Sequence, residues 1–362
     1  MNNHFSIIMA GGSGTRFWPE STKTLPKQFL DLLGTGKTLL QQSYERVKRF
    51  TISENIYVVT GHTMAELVQE QIPELDPKCL IREPIGRNTA PCIGWASFRA
   101  IRRNPEAVIG AFPADHLIEK EEEFERVVRY AFGRVEESNA IVTIGIIPSR
   151  PETGYGYLEA GEQITSNIRK VLKFVEKPSQ QKAEEYFKSG KYFWNAGIFV
   201  FKAKRMIAEL KEKLPKIYET LKAIDNTFEK GGIEKEYKEA QKLFPDLQGI
   251  SIDYGVMEKT QGVEMVPGDI GWSDLGSWSS LYEKIPKDKN SNAIRGDAEI
   301  ITYDSTECLI STKTPKKVAL IGLKDMIIVD TNDSLLICPK KRDQEIRKIV
   351  ENLERKENSA SR

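Results

Sequence analysis

Apolar and polar positions alternate along the first part of the chain in two distinct rhythms. Short, nearly continuous apolar runs occur at "FSIIMA", "IYVVT", "KCLIRE", "AVIGAF" and "AIVTIGI". Between them lie stretches with helical spacing, near 38–49, 63–71 and 88–102. In "EEFERVVRYAFGRVEES" the residues Phe124, Val127, Val128, Ala131, Phe132 and Val135 recur on one helical face. Strands without polar alternation need both faces covered, so the pattern predicts an α/β fold with a mostly parallel sheet flanked by helices on both faces.

The rhythm changes after residue 150. Turn-rich β segments ("ETGYGYLEA", "RKVLKFVEKP", "NAGIFVFK") are interrupted by charged helical segments over 179–190 and 203–245, read as insertions that wall a site on the sheet. A polar, turn-forming stretch, "IPKDKNSNAIRGD", marks a boundary near 286. Five brief β runs follow, "AEIITYD", "CLIST", "VALIGL", "MIIVDT" and "SLLICPK", each the length of one rung. A last helix carries Ile346, Ile349, Val350 and Leu353 as its apolar stripe, and its positive charge reads as a solvated face in preference to a binding patch. The expected domains are 1–285 and 286–362.

Composition narrows the classes of partner. With 53 basic and 52 acidic residues among 362, the net charge is +1, and no overall field draws the chain to nucleic acid or to an acidic membrane. No apolar run approaches the ~18 residues of a membrane span, and the N-terminal run is too short for an export signal. Cys79, Cys92, Cys308 and Cys338 lack the spacing of a zinc site or a disulfide scaffold. Three histidines, His4, His62 and His116, make a multi-histidine metal centre unexpected. The expectation is a cytoplasmic protein with reduced thiols.

Candidate chemistry begins at "MAGGSGTRFWPESTKTLPKQ". Gly12 and Gly14 supply G-x-G, but Phe17 replaces the third glycine of a dinucleotide fingerprint, and Gly34, Gly36, Lys37 and Thr38 lack the spacing of a P-loop. The remaining reading is a turn whose backbone N–H groups and Ser13 and Thr15 hydroxyls meet phosphate, with Arg16, Lys23 and Lys27 bringing charge. Asp115 follows an apolar strand in "GAFPADHLI", where it either holds Mg²⁺ or caps the next helix, and His116 reads as a helix-start residue in preference to a general base. Asp274 in "GWSDLGSW" is a second candidate carboxylate. Glu176 and Lys177 in "FVEKP" suit sugar hydroxyls and phosphate, or form an exposed ion pair. Asn195 in "NAGIFVF" and the glycines and tyrosines of "TGYGYL" suit a sugar, or a capped turn and a packed hairpin.

In order along the chain, "MAGGSGTRFWPES…LPKQF", "EPIGRNTAP", "FPADH", "TGYGYL", "FVEKP", "WNAGIFVF", "SIDYGVMEK" and "GWSDLGSW" resemble the sugar-1-phosphate nucleotidyltransferases, over about 1–285. They are most similar to the members that act on mannose 1-phosphate and GTP, and "VALIGLKDMIIVDTNDSLLICPK" resembles that group's small β-helical domain. The resemblance implies a Rossmann-like, GT-A-like nucleotidyltransferase with a mixed sheet, followed by a left-handed β-helix-like domain with a terminal helix. It implies Mg²⁺-assisted attack of the sugar phosphate on the α-phosphorus of GTP, giving GDP-mannose and pyrophosphate, in a homodimer. The alternatives are another sugar 1-phosphate or nucleotide, or a non-catalytic scaffold of the same fold. By resemblance, Gly11, Gly12, Gly14, Thr15 and Arg16 hold the triphosphate and Lys27 contacts phosphate near the reacting centre. Asp115 and Asp274 match the metal-binding acids, and Arg87, Asn88 and Thr89 fall where the base is read. Gly156, Glu176, Lys177, Asn195 and Asp253 fall on the sugar-phosphate side. Phe17 and Glu20 stand where leucines are commoner, read here as a change of turn packing, and the absence of a cupin-like stretch predicts no isomerase activity.

Overall fold

A computed structural model of the chain describes residues 3–12 and 14–360, with side chains to 356. It divides into two compact units that do not follow one cut in the sequence. The first consists of the segments ending at Gly11 and spanning Ser43–Ala114 and Ile118–Trp272; the second of Gly12–Gln42, Asp115–Leu117 and Ser273–Arg362.

The first unit is built on a nine-stranded mixed sheet. Its order is Leu80–Glu83, Ile56–Gly61, His4–Met9, Val108–Pro113, Tyr192–Lys202, Ile141–Ile146, Val263–Pro267, Ile168–Val175 and Tyr157–Thr165. The first four strands are parallel, with Ile7 opposite Tyr57 and Ala111, and they are the near-continuous apolar runs of the sequence. Tyr192–Lys202 then runs antiparallel between Val108–Pro113 and Ile141–Ile146, and Ile168–Val175 pairs antiparallel with both of its neighbours, so the sheet is mixed rather than mostly parallel as the apolar runs predicted. In His4–Met9 four successive residues are buried, which requires cover on both faces.

The helix Glu121–Glu137 buries the six residues its periodicity marked, Phe124, Val127, Val128, Ala131, Phe132 and Val135. Glu121, Glu122 and Glu123 in its first turn and Arg134 in its last complement the helix dipole. Thr89–Arg103 starts at Asn88, whose side chain accepts from Thr89 N. The helical stretch over 203–245 resolves into Ala203–Lys213, Pro215–Phe228 and Gly232–Leu243. Pro215 ends the first, because a proline has no N–H to continue the ladder and disfavours helix in the residue before it, here Leu214. Gly231 and Gly232, with Gly232 at φ 65°, separate the other two.

The second unit gathers residues far apart in sequence. Phe17, Leu30, Leu32, Leu39, Trp278, Leu281, Leu309, Ile327 and Ile346 share one core cluster. Its short strands stack as coils, with Ala293 beside Leu309 and Leu309 beside Ile327 in parallel register. Glu299–Tyr303 pairs in parallel with Lys317–Ile321 on another side. Inward residues such as Ile310 and Ile328 are buried while Ile301, Tyr303 and Ile321 face outward.

Glu20 does more here than adjust a turn. Its side chain is buried and accepts both Arg295 guanidinium nitrogens, at 2.5 and 2.9 Å, and Ser311 Oγ at 2.7 Å. Burial pushes its carboxyl up, but the Arg295 contacts outweigh that and hold it below the usual range.

Candidate functional site

In the second unit, the glycine turn is shaped by one close approach. Gly14 sits at φ 57°, and a Cβ there would fall 2.5 Å from Lys27 Cβ and 2.9 Å from Lys27 N. Only glycine lets the turn lie against the Lys27 backbone. Ser21 Oγ donates to Gly14 O at 2.6 Å, and Gln28 Nε2 to Gly12 O at 3.3 Å. Phe17, just past the turn, is buried against Trp278, with ring centroids 5.0 Å apart, and Trp278 Nε1 donates to Trp18 O at 3.1 Å. The missing third glycine is therefore an anchor residue. Ser13 lies outside the described residues.

Lys27 is 4% exposed, and a buried ammonium needs partners. Its Nζ donates to Asp115 Oδ2 at 3.0 Å and to Asp274 O at 2.6 Å. Burial raises the Asp115 carboxyl, yet Lys27 and the neighbouring His116 outweigh it and leave the group below the ordinary carboxylate range. Asp274 Oδ1 accepts from Gly276 N at 3.1 Å. Around these groups lies an open cavity of about 330 Å³ whose lining includes Thr15, Arg16, Lys27, Asp115, Asp274 and Arg347.

Several expectations shift. Gly11 and Gly12 are not among the lining residues, and Lys23 is exposed and pairs with Glu354 at 3.2 Å. Asp115 caps no helix: Leu117–Ile118 is a short strand, the next helix begins at Glu121, and no side chain caps it. His116 consequently does not start a helix. Among the described residues no group of three or more His, Cys, Asp or Glu is arranged to hold a metal. Two carboxylates on one cavity do fit Mg²⁺, which takes one or two protein carboxylates and fills its octahedron with water and phosphate oxygens.

The first unit brings the sugar-side residues together. Asn195, 7% exposed, donates through Nδ2 to Asp253 Oδ1 at 3.2 Å, while its Oδ1 accepts from Thr143 Oγ1 at 2.9 Å and Gly197 N at 3.2 Å. Lys177 Nζ donates to Glu176 Oε1 at 2.8 Å, and Glu258 Oε1 accepts from Glu176 N at 2.8 Å. Gly156 lies so close that a Cβ would reach within 2.6 Å of Glu176 Oε2 and 3.3 Å of Asn195 Cβ. Burial, and then the Glu176 carboxylate, push the Asp253 carboxyl up to about 7, against the lowering pull of Lys177 and Asn195. Thr143 and Glu258 hold this cluster in shape; Thr143 reads in the sequence only as a strand residue, and Glu258 lies within "SIDYGVMEK" without being singled out.

The "GRNTAP" loop is knitted to the segment before Asp253. Arg87 Nη2 donates to Pro245 O, Ile250 N to Arg87 O at 3.2 Å, and Ile252 N to Thr89 Oγ1 at 2.8 Å. Asn88 stands at φ 67°, with its Oδ1 accepting from Thr89 N at 2.8 Å. Upstream, Glu83 is buried with Oε1 lacking a hydrogen-bond partner, and burial pushes its carboxyl up to about 8.

A mixed sheet with a parallel half, a glycine turn that carries Arg16 onto a cavity, and acids placed just after strands define a phosphate-handling transferase of the nucleotidyltransferase type. The chain belongs to the nucleotidyl transferase family, whose model matches residues 5–291, and residues 298–353 match the mannose-phosphate isomerase/GMP-like β-helix domain. It is similar to a putative mannose-1-phosphate guanylyltransferase of Vibrio cholerae, with 41% identity over 355 residues, covering 96% of this chain and 74% of that protein. The mannose-1-phosphate guanylyltransferase of Klebsiella pneumoniae is 38% identical over 358 residues, covering 98% and 74%. In structure the chain is similar to the mannose-1-phosphate geranyltransferase of Thermus thermophilus, with a TM-score of 0.86 at 31% identity, covering 97% of this chain and 99% of that one. Among the described residues no helix is long and apolar enough to cross a membrane.

Proposed function

We propose that this protein transfers GMP from GTP to mannose 1-phosphate, giving GDP-mannose and pyrophosphate. The observation that carries the reading is the cavity that Asp115 and Asp274 line together with Lys27 and with Arg16 of the Gly14 turn; the names of the relatives supply the substrates.

A sugar phosphate has its second pKa near ~6, so at neutral pH the nucleophile is already largely dianionic and needs no general base. One of its oxygens forms the bond to the α-phosphorus, and the bond from that phosphorus to the bridging oxygen breaks, with the electron pair leaving on pyrophosphate. The protein's task is to align two anions and offset their repulsion. Arg16 and the turn amides bind the triphosphate. Lys27 is held by Asp115 and the Asp274 carbonyl, so its ammonium is fixed before substrate arrives and needs no reorganisation. Asp115 and Asp274 would hold Mg²⁺, which when bound supplies further positive charge to the phosphates. Glu176, Asn195 and Asp253 present acceptors and an amide to sugar hydroxyls, Lys177 meets the sugar phosphate, and Arg87, Asn88 and Thr89 flank the base. The same reading places the protein in the cytoplasm as a homodimer; outward Ile301, Tyr303 and Ile321 on the coil face support the second point.

Purified protein with Mg²⁺ and mannose 1-phosphate should release pyrophosphate with GTP and much less with ATP, CTP or UTP. Asp115→Asn should lower the rate by about 100-fold or more, and because it takes the charge partner from the buried Lys27 ammonium it should lower the melting temperature as well, so the rate is compared on folded protein. A folded sample that releases no pyrophosphate from GTP and mannose 1-phosphate refutes the proposal.

A further inference from the structure

We infer that Arg347, on the first turn of the helix Ile346–Ala360, is a phosphate-binding residue for the triphosphate of the nucleotide and for the pyrophosphate it releases. This rests on the reading of the cavity given above and adds to it a group from the terminal helix. Arg347 lines the same cavity as Arg16, Lys27, Asp115 and Asp274. Its place there is fixed by packing. Ile346, 2% exposed, belongs to the core cluster of Phe17 and Trp278, Val350 packs against that cluster, and the helix lies against the Thr15–Phe17 turn. On the same helix Glu354 pairs with Lys23 of the segment that follows the turn. The helix that carries Arg347 is thus anchored to the residues that shape the cradle.

The charge in the cavity shows why a further cation is needed there. Lys27 already sits between Asp115 Oδ2 and Asp274 O, so much of its charge is answered within the protein. Arg16 is exposed on the turn. Against a triphosphate, and then against pyrophosphate leaving with additional charge, Arg347 supplies a second guanidinium whose planar fork matches phosphate oxygens. The side chain is able to respond: it is 65% exposed, and its ion pair is with Glu351, one turn on, at 3.5 Å. An exposed pair of that spacing is a weak retainer that a multiply charged anion displaces. Glu351 therefore parks the arginine at the cavity wall without neutralising it tightly.

The test is calorimetric titration of the full-length protein with inorganic pyrophosphate, alongside KM values for GTP and for mannose 1-phosphate. Arg347→Ala should weaken pyrophosphate binding and raise KM for GTP by about tenfold, leave KM for mannose 1-phosphate and the melting temperature unchanged, and Arg347→Lys should recover part of the loss. A stable Arg347→Ala protein that binds pyrophosphate as tightly as the wild type overturns the inference. So does an equal rise of both KM values, since that would mark a general structural role. Loss of pyrophosphate release by the wild type itself would instead refute the guanylyl-transfer reading, so the two failures are separable.

Discussion

Asp253 is a carboxyl that the fold holds in its protonated range. Its pKa of about 7 lies above the ordinary 3.8, chiefly from burial and then from Glu176. The native state therefore keeps a proton that the unfolded chain releases as pH rises from about 4 to 7, and stability falls across that window. Asp253→Asn keeps an oxygen for the Asn195 amide and removes the titration. Melting curves taken across pH should show the variant more stable than wild type at pH 8, by about 1–2 kcal/mol after solvent screening, with the gap closing by pH 4. Parallel curves for the two proteins at both pH values would show that the group is not shifted. The residue was legible in "SIDYGVMEK", but its proximity to Glu176 was not, because that contact comes from tertiary folding rather than from spacing along the chain.

At the scale of elements, one buried acid fastens the inserted helices to the sheet's cover. Glu236, on Gly232–Leu243, is fully buried; it accepts from Arg99 Nη2 at 2.6 Å and from Trp95 Nε1 at 2.8 Å, both on Thr89–Arg103. Removing one partner of a buried pair leaves an uncompensated charge, so Glu236→Ala should cost about 3–5 kcal/mol in denaturant unfolding. A loss below about 1 kcal/mol would mean that water takes over the Arg99 guanidinium. The amphipathic stripe of Glu121–Glu137 was readable residue by residue, since its partners all lie on one face at helical spacing. Glu236 was not, since a glutamate in "IEKEYKEAQ" looks like its solvated neighbours until Arg99 is brought to it.

At the scale of the whole molecule, the sheet-forming runs and most of the coil strands were legible because strand burial and short apolar repeats are local signals. But Ala293–Arg295 is a strand inside the polar stretch read as a boundary, and Leu335–Pro339, read as a rung, folds back antiparallel on Met326–Asp330. The second unit's makeup was not legible. It draws on three separate segments, and the residues that join them, Glu20 with Arg295 and Phe17 with Trp278, are distant in sequence. For the same reason the charge of the last helix reads as a solvated face in the sequence, although Arg347 lines the cavity. Arg295→Met should leave the buried Glu20 carboxylate with only the Ser311 hydroxyl and Lys313 at 3.4 Å and cost up to about 3–5 kcal/mol, whereas Glu20→Leu with Arg295→Met should recover most of that loss. Since Glu20 is held below its usual pKa, its stabilising share is present above the unfolded value and disappears as pH falls, so the wild-type advantage over the double variant should shrink in acid. Equal stability of single and double variants would show that the pair is not coupled.

The segmented second unit also sets an order of events during synthesis. Gly14, Phe17 and Lys27 leave the ribosome early, while Trp278, Leu309 and Ile346, which cover Phe17 and Leu30, are translated far later. Loop closure over so long a stretch comes before any contact repays it. A nascent chain can thus complete its sheet and still carry an open cradle, and cellular nucleotide has nothing finished to grip until the final coil and helix have been made.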